Sequence, residues 1–188
     1  GTGCGTDFMR LGDRPRGDVI LLPGEKKGDY AYLKGKWPGL TSFRGGREAA
    51  RQAYVQAGVT NPLKEIDFAE VHDAYASSEI QTYEDLGFCK YGQGGRFVQD
   101  GYSFMPNITY PFDLSHKGEL PVNPSGGLIA CGHPVGATGI MQGVFALWQL
   151  QGTIGKHMKD ERLQLKKPKR GLIHSHAGTG TYITVTIM

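Results

Sequence analysis

The chain has 188 residues, enough for one domain with a sizeable core, and its 39% hydrophobic and 21% charged content is ordinary for a globular protein. A formal net charge of +3 admits an anionic small ligand but does not argue for nucleic acid, and no apolar run approaches the roughly 18–20 residues of a membrane span. Three cysteines without framework spacing argue against a disulfide scaffold and for a reducing compartment, so a cytoplasmic location is expected. The outlier is glycine, 29 residues without a collagen period, which points to tight turns and close backbone approaches. The chain opens GTGCGTD, with no methionine and no secretory signal, which suggests a start that is missing, processed or supplied elsewhere.

Small residues and a short apolar patch over 1–11 read as a first strand. Residues 12–40, rich in Gly, Pro, Lys and aromatics (Tyr30, Tyr32, Trp37), read as an irregular excursion. Thr41 or Ser42 is expected to cap a helix over about 43–57, where Ala49, Ala50, Ala53, Tyr54 and Ala57 recur at helical spacing and Gly58 stops the run. Ile66, Phe68 and Glu70 alternate with Asp67, Ala69 and Val71, the period of a strand. His72 and Asp73 sit at its C-terminal end, where open α/β sheets place ligand groups. A helix follows over about 75–86, with Tyr75, Ile80, Tyr83 and Leu86 as apolar members and Gly87 as its stop.

Residues 88–120 form a second irregular excursion, with a short helix near 92–100. After Gly139 the positions Ile140, Val144, Leu147, Trp148 and Gln151 mark a helix, which Met141 and Phe145 make broadly apolar. Such a helix is expected to be buried between layers, so that Leu147→Asp would cost several kcal/mol. Residues 156–170, ending KKPKR, read as a solvated loop. The apolar 171–173, the turn-like HSHAGTG and Tyr182–Met188 read as strand, tight turn and strand. The order, roughly β-α-β-α…α-β-β, gives an α/β layered domain over 1–188.

The stretch 121–142, PVNPSGGLIACGHPVGATGIMQ, organises the chain. Two Gly-rich turns flank Gly132-His133-Pro134 just before a helix N-terminus, a place that fixes the ring and favours anions. Two further histidine segments, EVHDAY with His72 and HSHAGTG with His174 and His176, each close a strand or a turn. None has the i, i+4 spacing or the Cys-x-x-Cys pairing of a zinc site, so no metal is expected. Independent core histidines are the alternative for any one of these motifs taken alone.

The run Asn123, Gly126, Gly127, Gly132, His133, Pro134, Gly136, Thr138, Gly139 closely resembles the thiolase signature. EVHDAY resembles the His-Asp segment of thiolases related to sterol carrier protein and of archaeal acetoacetyl-CoA thiolases. HSHAGTG matches the position of the closing Cys-x-Gly-Gly turn, which that subgroup often writes with histidine. The likeness is to the C-terminal half alone. It implies one half of a thiolase-like layered fold, a mixed five-stranded sheet with helices on both faces. It also implies an acyltransferase of the acetyl-CoA C-acyltransferase type, acting in thiolytic cleavage or Claisen condensation of acyl-CoA, with CoA as substrate and no cofactor. His133 would donate to the thioester oxygen, His72 would orient that donor directly or through water, His174 would take the place of the acid/base cysteine, and His176 or the adjacent backbone N–H would help line the second oxyanion hole. Asn123, Gly126, Gly132 and Gly178 would line the substrate. The partners implied are an N-terminal half or subunit with the nucleophilic cysteine, a small OB-fold/zinc-ribbon protein, and further copies in a dimer or higher oligomer.

The sequence departs from the pattern where sterol-carrier-type thiolases carry a catalytic cysteine, here Ala74, and it has no cysteine in the closing turn. Cys131, immediately before Gly132-His133, reads as a packing residue, as do Cys4 and Cys89, with a substitute nucleophile as the alternative for Cys131. Lys26, Lys27, Lys34, Lys36 and the 166–170 run read as solvated, with CoA phosphates as the alternative. A retro-aldolase acting on a β-hydroxyacyl-CoA and a non-catalytic scaffold for an acyl-CoA-binding partner are the rival functions.

Overall fold

The structure, a computed structural model, describes the backbone of residues 2–6 and residues 41–178, 180 and 182–188 in full. The excursion expected over 12–40, with Lys26, Lys27, Lys34 and Lys36, and the side chain of Cys4 lie outside the described residues.

Among the described residues the scaffold is a mixed sheet of four strands. Strand β1 (Thr2–Thr6) pairs antiparallel with β4 (Tyr182–Ile187), β4 pairs antiparallel with β3 (Gly171–Ala177), and β3 runs parallel to β2 (Phe68–Glu70). The order is therefore β1-β4-β3-β2. The fifth strand expected of this fold is, among the described residues, a single parallel bridge between Ala69 and Val122 beyond β2. Proline at 121 and 124 removes backbone donors on either side, and Asn123, at φ 50°, turns the chain away.

Helix α1 (Arg44–Ala57) covers one face, packed on β1 and β4. Its inner stripe of Ala49, Ala50, Ala53 and Tyr54 is wholly buried against Leu172, Ile183, Val185 and Ile187. Small side chains let helix and sheet approach closely, and Gly58, at φ 67°, ends the helix in the left-handed region. Neither Thr41 nor Ser42 caps it, because the cap position falls on Phe43. The Ser42 hydroxyl and the Phe43 N–H instead donate to the Asp85 carboxylate, the second at 2.7 Å. That buried link ties α1 to the end of α3 (Ala76–Asp85), and burial raises the Asp85 pKa to about 7.

The short helices α2 (Pro62–Glu65), α4 (Gly94–Gln99), α5 (Gly127–Cys131) and α7 (Ile154–Met158) punctuate the connections. Helix α4 lies in the 88–120 excursion, as its sequence predicts. Helix α7 and a 3₁₀ turn at Glu161–Leu163 occupy part of the segment read as a loop. Helix α6 (Thr138–Gln151) covers the second face over β3 and β2, where Ala146 joins Phe68 and Ile173 in a second cluster.

Two expectations are corrected here. Helix α6 does not bury Leu147, which is 41% exposed, and Ile140 and Val144 on the same stripe are also exposed. Its buried side includes Gln142 and Gln149, whose amides donate to the carbonyls of His174 (3.0 Å) and Leu163 (2.8 Å). A helix apolar nearly all round leaves the inward side to be chosen by specific partners, and here the glutamines find them. The second correction concerns the closing turn. Strand β3 continues through His174 and His176, which pair with Val185 and Ile183, so the reversal begins only after Ala177.

Candidate active site

Strand β2 delivers His72 and Asp73 from its C-terminal end, and the neighbouring parallel strand β3 delivers His174 and His176. Positions 174 and 176 share one side of β3 because side chains alternate along a strand. The third contribution comes from the 123–138 segment, which must fold back over the end of β2. Its anchors are two carboxyl groups.

Glu70, 1% exposed, accepts the Ser125 hydroxyl at 2.6 Å and the Ser125 N–H at 3.2 Å. Asp73 accepts the Leu128 N–H at 2.7 Å, at the first turn of α5. Asn123 Oδ1 accepts the Val71 N–H at 2.7 Å. Gly127 lies between these anchors at φ 68°, and a Cβ there would sit 2.1 Å from Asp73 Oδ2, so only glycine allows the approach. Burial raises both acids, Glu70 to about 8, so Glu70 is largely protonated at neutral pH and tolerates its dry site.

From that platform the chain runs through α5 to Gly132, at φ 89°, and presents His133. The His133 Nδ1 lies 2.7 Å from Thr138 Oγ1, at the first residue of α6. The His72 ring is packed edge-on between two other imidazoles, 4.8 Å from His133 and 4.1 Å from His176. His174 lies beneath this trio, 1% exposed and 5.7 Å from His176, and its Nδ1 accepts the His72 N–H at 3.4 Å. Three rings therefore meet at one point and a fourth holds the backbone of one of them. Gly178 follows β3 at φ 62° and is exposed.

Burial is the main reason the rings of His72, His174 and His176 stay neutral. It lowers the His72 pKa to about 3 and that of His176 to about 4, with neighbouring imidazoles adding to the shift, and it drives His174 well below the usual range. Neutral imidazoles donate through one N–H and accept through the other nitrogen. His72 Nδ1 and His176 Nδ1 are buried with no hydrogen-bond partner among the described residues. Among the same residues no trio of His, Cys, Asp or Glu has the arrangement of a metal site.

Cys131 is half-buried, and its thiol lies 3.2 Å from the Ser125 carbonyl, to which it donates. Burial and the nearby Glu70 and Asp73 raise its pKa, the opposite of what an attacking thiolate needs. Glu70, Thr138 and Gln142 are the site residues that sequence reasoning passed over. Glu70 had a visible signal, a carboxylate at an otherwise apolar position of a strand. Thr138 stood within the signature with no reason to single out its hydroxyl, and Gln142 was masked by its apolar neighbours.

Residues 32–188 match the family described as thiolase C-terminal domain-like. The chain is 42% identical over 139 residues to an acetyl-CoA acetyltransferase of Methanothermobacter thermautotrophicus, covering 74% of this chain and 31% of that protein. It is 37% identical over 171 residues to the acetyl-CoA acetyltransferase of Methanocaldococcus jannaschii, covering 91% and 40%. Human sterol carrier protein 2 is 38% identical over 148 residues, covering 79% and 23%. Among solved structures, a chain of an Ltp2-ChsH2(DUF35) aldolase superposes with a TM-score of 0.61 at 25% identity, over 80% of this chain and 33% of that one. The matched region is thus well under half the length of each of these relatives. Signature, fold and relatives agree: the chain belongs to the thiolase C-terminal domain-like family.

Proposed function

We propose that this chain is the C-terminal half of an acyl-CoA thiolase and completes an active site whose nucleophilic cysteine lies on another polypeptide segment. The observation that carries this reading is the meeting of His72, His133 and His176 at the ends of two parallel strands and the start of α6. Claisen chemistry and its reverse pass through an oxyanion and a thioester enolate, so hydrogen-bond donors must be aimed where negative charge develops. With the Thr138 hydroxyl donating to His133 Nδ1, the His133 Nε2–H is the tautomer presented to a thioester oxygen. The neighbouring His72 ring fixes its orientation. Rings with pKa near 3 and 4 are neutral at pH 7, so each offers one N–H donor and one acceptor nitrogen. His174 is committed to the His72 backbone, so the proton-transfer role falls to His176. CoA enters as substrate.

In thiolytic cleavage the acyl group would pass to the cysteine of the other half as the carbon–carbon bond breaks. The electron pair would go to the α-carbon as an enolate, to be protonated there, and CoA would then take the acyl group. This chain's part is to hold the two oxygens and move the proton. The exposed stripe of Ile140, Val144 and Leu147 on α6 suits coverage by that other half. A small OB-fold/zinc-ribbon protein as second partner, and assembly into a dimer or higher oligomer, belong to the same proposal. The structural neighbour's DUF35 component favours a second polypeptide of some kind.

The aldolase likeness gives a second reading, retro-aldol cleavage of a β-hydroxyacyl-CoA without an acyl-cysteine. The intact Gly132-His133-Pro134 segment favours the thiolase. Reconstitution tests the choice. The chain alone should not cleave acetoacetyl-CoA, addition of a cysteine-bearing N-terminal half should restore thiolysis, and His133→Ala should lower that turnover roughly 10²–10³-fold. Thiolysis by the monomeric chain unaided would sink the proposal.

A further inference from the structure

The ring assigned above to proton transfer, His176, has a buried Nδ1 with no hydrogen-bond partner among the described residues. Without a bond at that nitrogen, packing has to set the angle of the imidazole. On one side His72 packs against it edge-on, with centroids 4.1 Å apart. Another neighbour is Phe43, whose ring lies 5.5 Å away with the two planes 51° apart. Phe43 is the residue from which α1 starts, so the helix covering this face of the sheet reaches the histidine cluster through that ring.

Phe43 is itself held from three directions. Its backbone N–H donates to Asp85 Oδ2 at 2.7 Å, and its carbonyl accepts the Arg47 N–H at 3.2 Å in the first turn of α1. Gly180, at φ 81°, passes over the ring. A Cβ there would stand 2.4 Å from Phe43 Cδ1, so a larger residue would push the ring away. Asp85 is a rigid anchor, 2% exposed, and its Oδ1 accepts the hydroxyls of Ser42 and of Tyr91, the second at 3.1 Å. Beside it Tyr54 Oη donates to the Leu86 carbonyl at 2.5 Å, a further bond joining α1 to the end of α3. A chain of contacts therefore runs from a buried carboxyl at the end of α3, through the Phe43 backbone and ring, to His176.

We propose that Phe43, anchored by Asp85, is a positioning residue that fixes the angle of the His176 ring for proton transfer. The proposal rests on the thiolase reading for the reaction served. A proton carrier must point one nitrogen at the reacting atom, and errors of angle cost rate more than binding. The phenyl ring also covers part of an imidazole whose pKa burial lowers to about 4, with His133 adding to the shift. His72, His133 and His174 are the titratable neighbours of His176, and Phe43 adds no charge to them. Changing Phe43 thus alters packing and water access alone.

The test uses the full chain with whatever polypeptide it carries when purified, isotope-labelled at the histidine ring nitrogens. Long-range proton–nitrogen spectra read the tautomer and the titration of each imidazole. In the wild type His176 should hold one neutral tautomer until it titrates near pH 4. Phe43→Leu keeps the backbone bond to Asp85 and most of the apolar volume but loses the flat ring. It should mix the two neutral tautomers and raise the midpoint above about 5. Phe43→Tyr keeps the ring and should match the wild type. Asp85→Asn exchanges an acceptor oxygen for a donor and should move His176 the same way by a smaller amount. In the complex reconstituted with the cysteine-bearing half, Phe43→Leu should lower kcat about tenfold and change KM less than about twofold. A His176 spectrum unaltered in Phe43→Leu, or an altered one with kcat unchanged, would overturn the proposal. The expected spectra in a complex that cleaves no 3-oxoacyl-CoA would uphold the positioning of the ring and strike the thiolase reading alone.

Discussion

The two faces of the sheet are covered by helices of equal length that treat their apolar residues in opposite ways. Both α1 and α6 have 14 residues. Helix α1 buries every member of its Ala49, Ala50, Ala53, Tyr54 stripe against its own strands. Helix α6 sends glutamines toward the sheet and leaves Ile140 72% exposed. On β4 the same contrast continues: Ile183, Val185 and Ile187 are buried on the α1 side, while the alternating Tyr182 and Thr184 are exposed. One face closes on the chain's own core. The other has the composition of an interior and the exposure of a surface, and the catalytic histidines proposed here sit at its edge. Hydrophobicity alone therefore does not decide which side of a helix is buried.

The largest expected effect separates the two faces directly. Ala53→Asp places an unpaired charge in a site of zero exposure and should cost several kcal/mol, read as a collapse of the urea midpoint. Leu147→Asp should change the stability of the chain by about 0.5 kcal/mol or less, yet abolish association with the cysteine-bearing half. Equal destabilisation by both would break the comparison.

A smaller effect sharpens it at the edge where the histidines lie. Folding lowers the His72 pKa from 6.5 to about 3, so the folded state binds fewer protons than the unfolded one in between. Its neutral ring contributes stability above pH 6.5 that is lost as pH falls toward 3. Glu70 and Asp85, raised to about 8 and about 7, work the other way, losing stability as pH rises from about 4 through those values. The wild type alone therefore hides the histidine contribution, and comparison with His72→Asn exposes it. The stability difference, wild type minus variant, should fall by about 3 kcal/mol between pH 6.5 and pH 4. A difference independent of pH would mean that His72 is not held neutral. Smaller still, Gly127→Ala forces a left-handed residue against Asp73 and should cost about 2 kcal/mol. It should also lower turnover in the assembled enzyme, because the turn that presents His133 would shift.

Much of the frame was legible in sequence because local physics dictated it. The alanine spacing marked α1, alternation marked β2, and the β-branched run marked β4. The three histidine segments stand out by their strand-end and Gly-turn settings, whereas their convergence is a matter of tertiary structure. Three features escaped for definite reasons. Period alone could not choose the inner side of α6, since apolar residues nearly encircle it. HSHAGTG reads as a turn by its glycines, but His174 and His176 belong to β3 because β4 pairs with them. The roles of Glu70 and Ser125 depend on a contact across 55 positions, which no local pattern reports.

The central claim is that this chain supplies the histidines and borrows the nucleophile. Mass spectrometry of the assembled enzyme, quenched during turnover of acetoacetyl-CoA, tests it most directly. The account predicts an acetyl thioester on a cysteine of the partner half and none on Cys131 or Cys89. An acetyl group on Cys131 would contradict it.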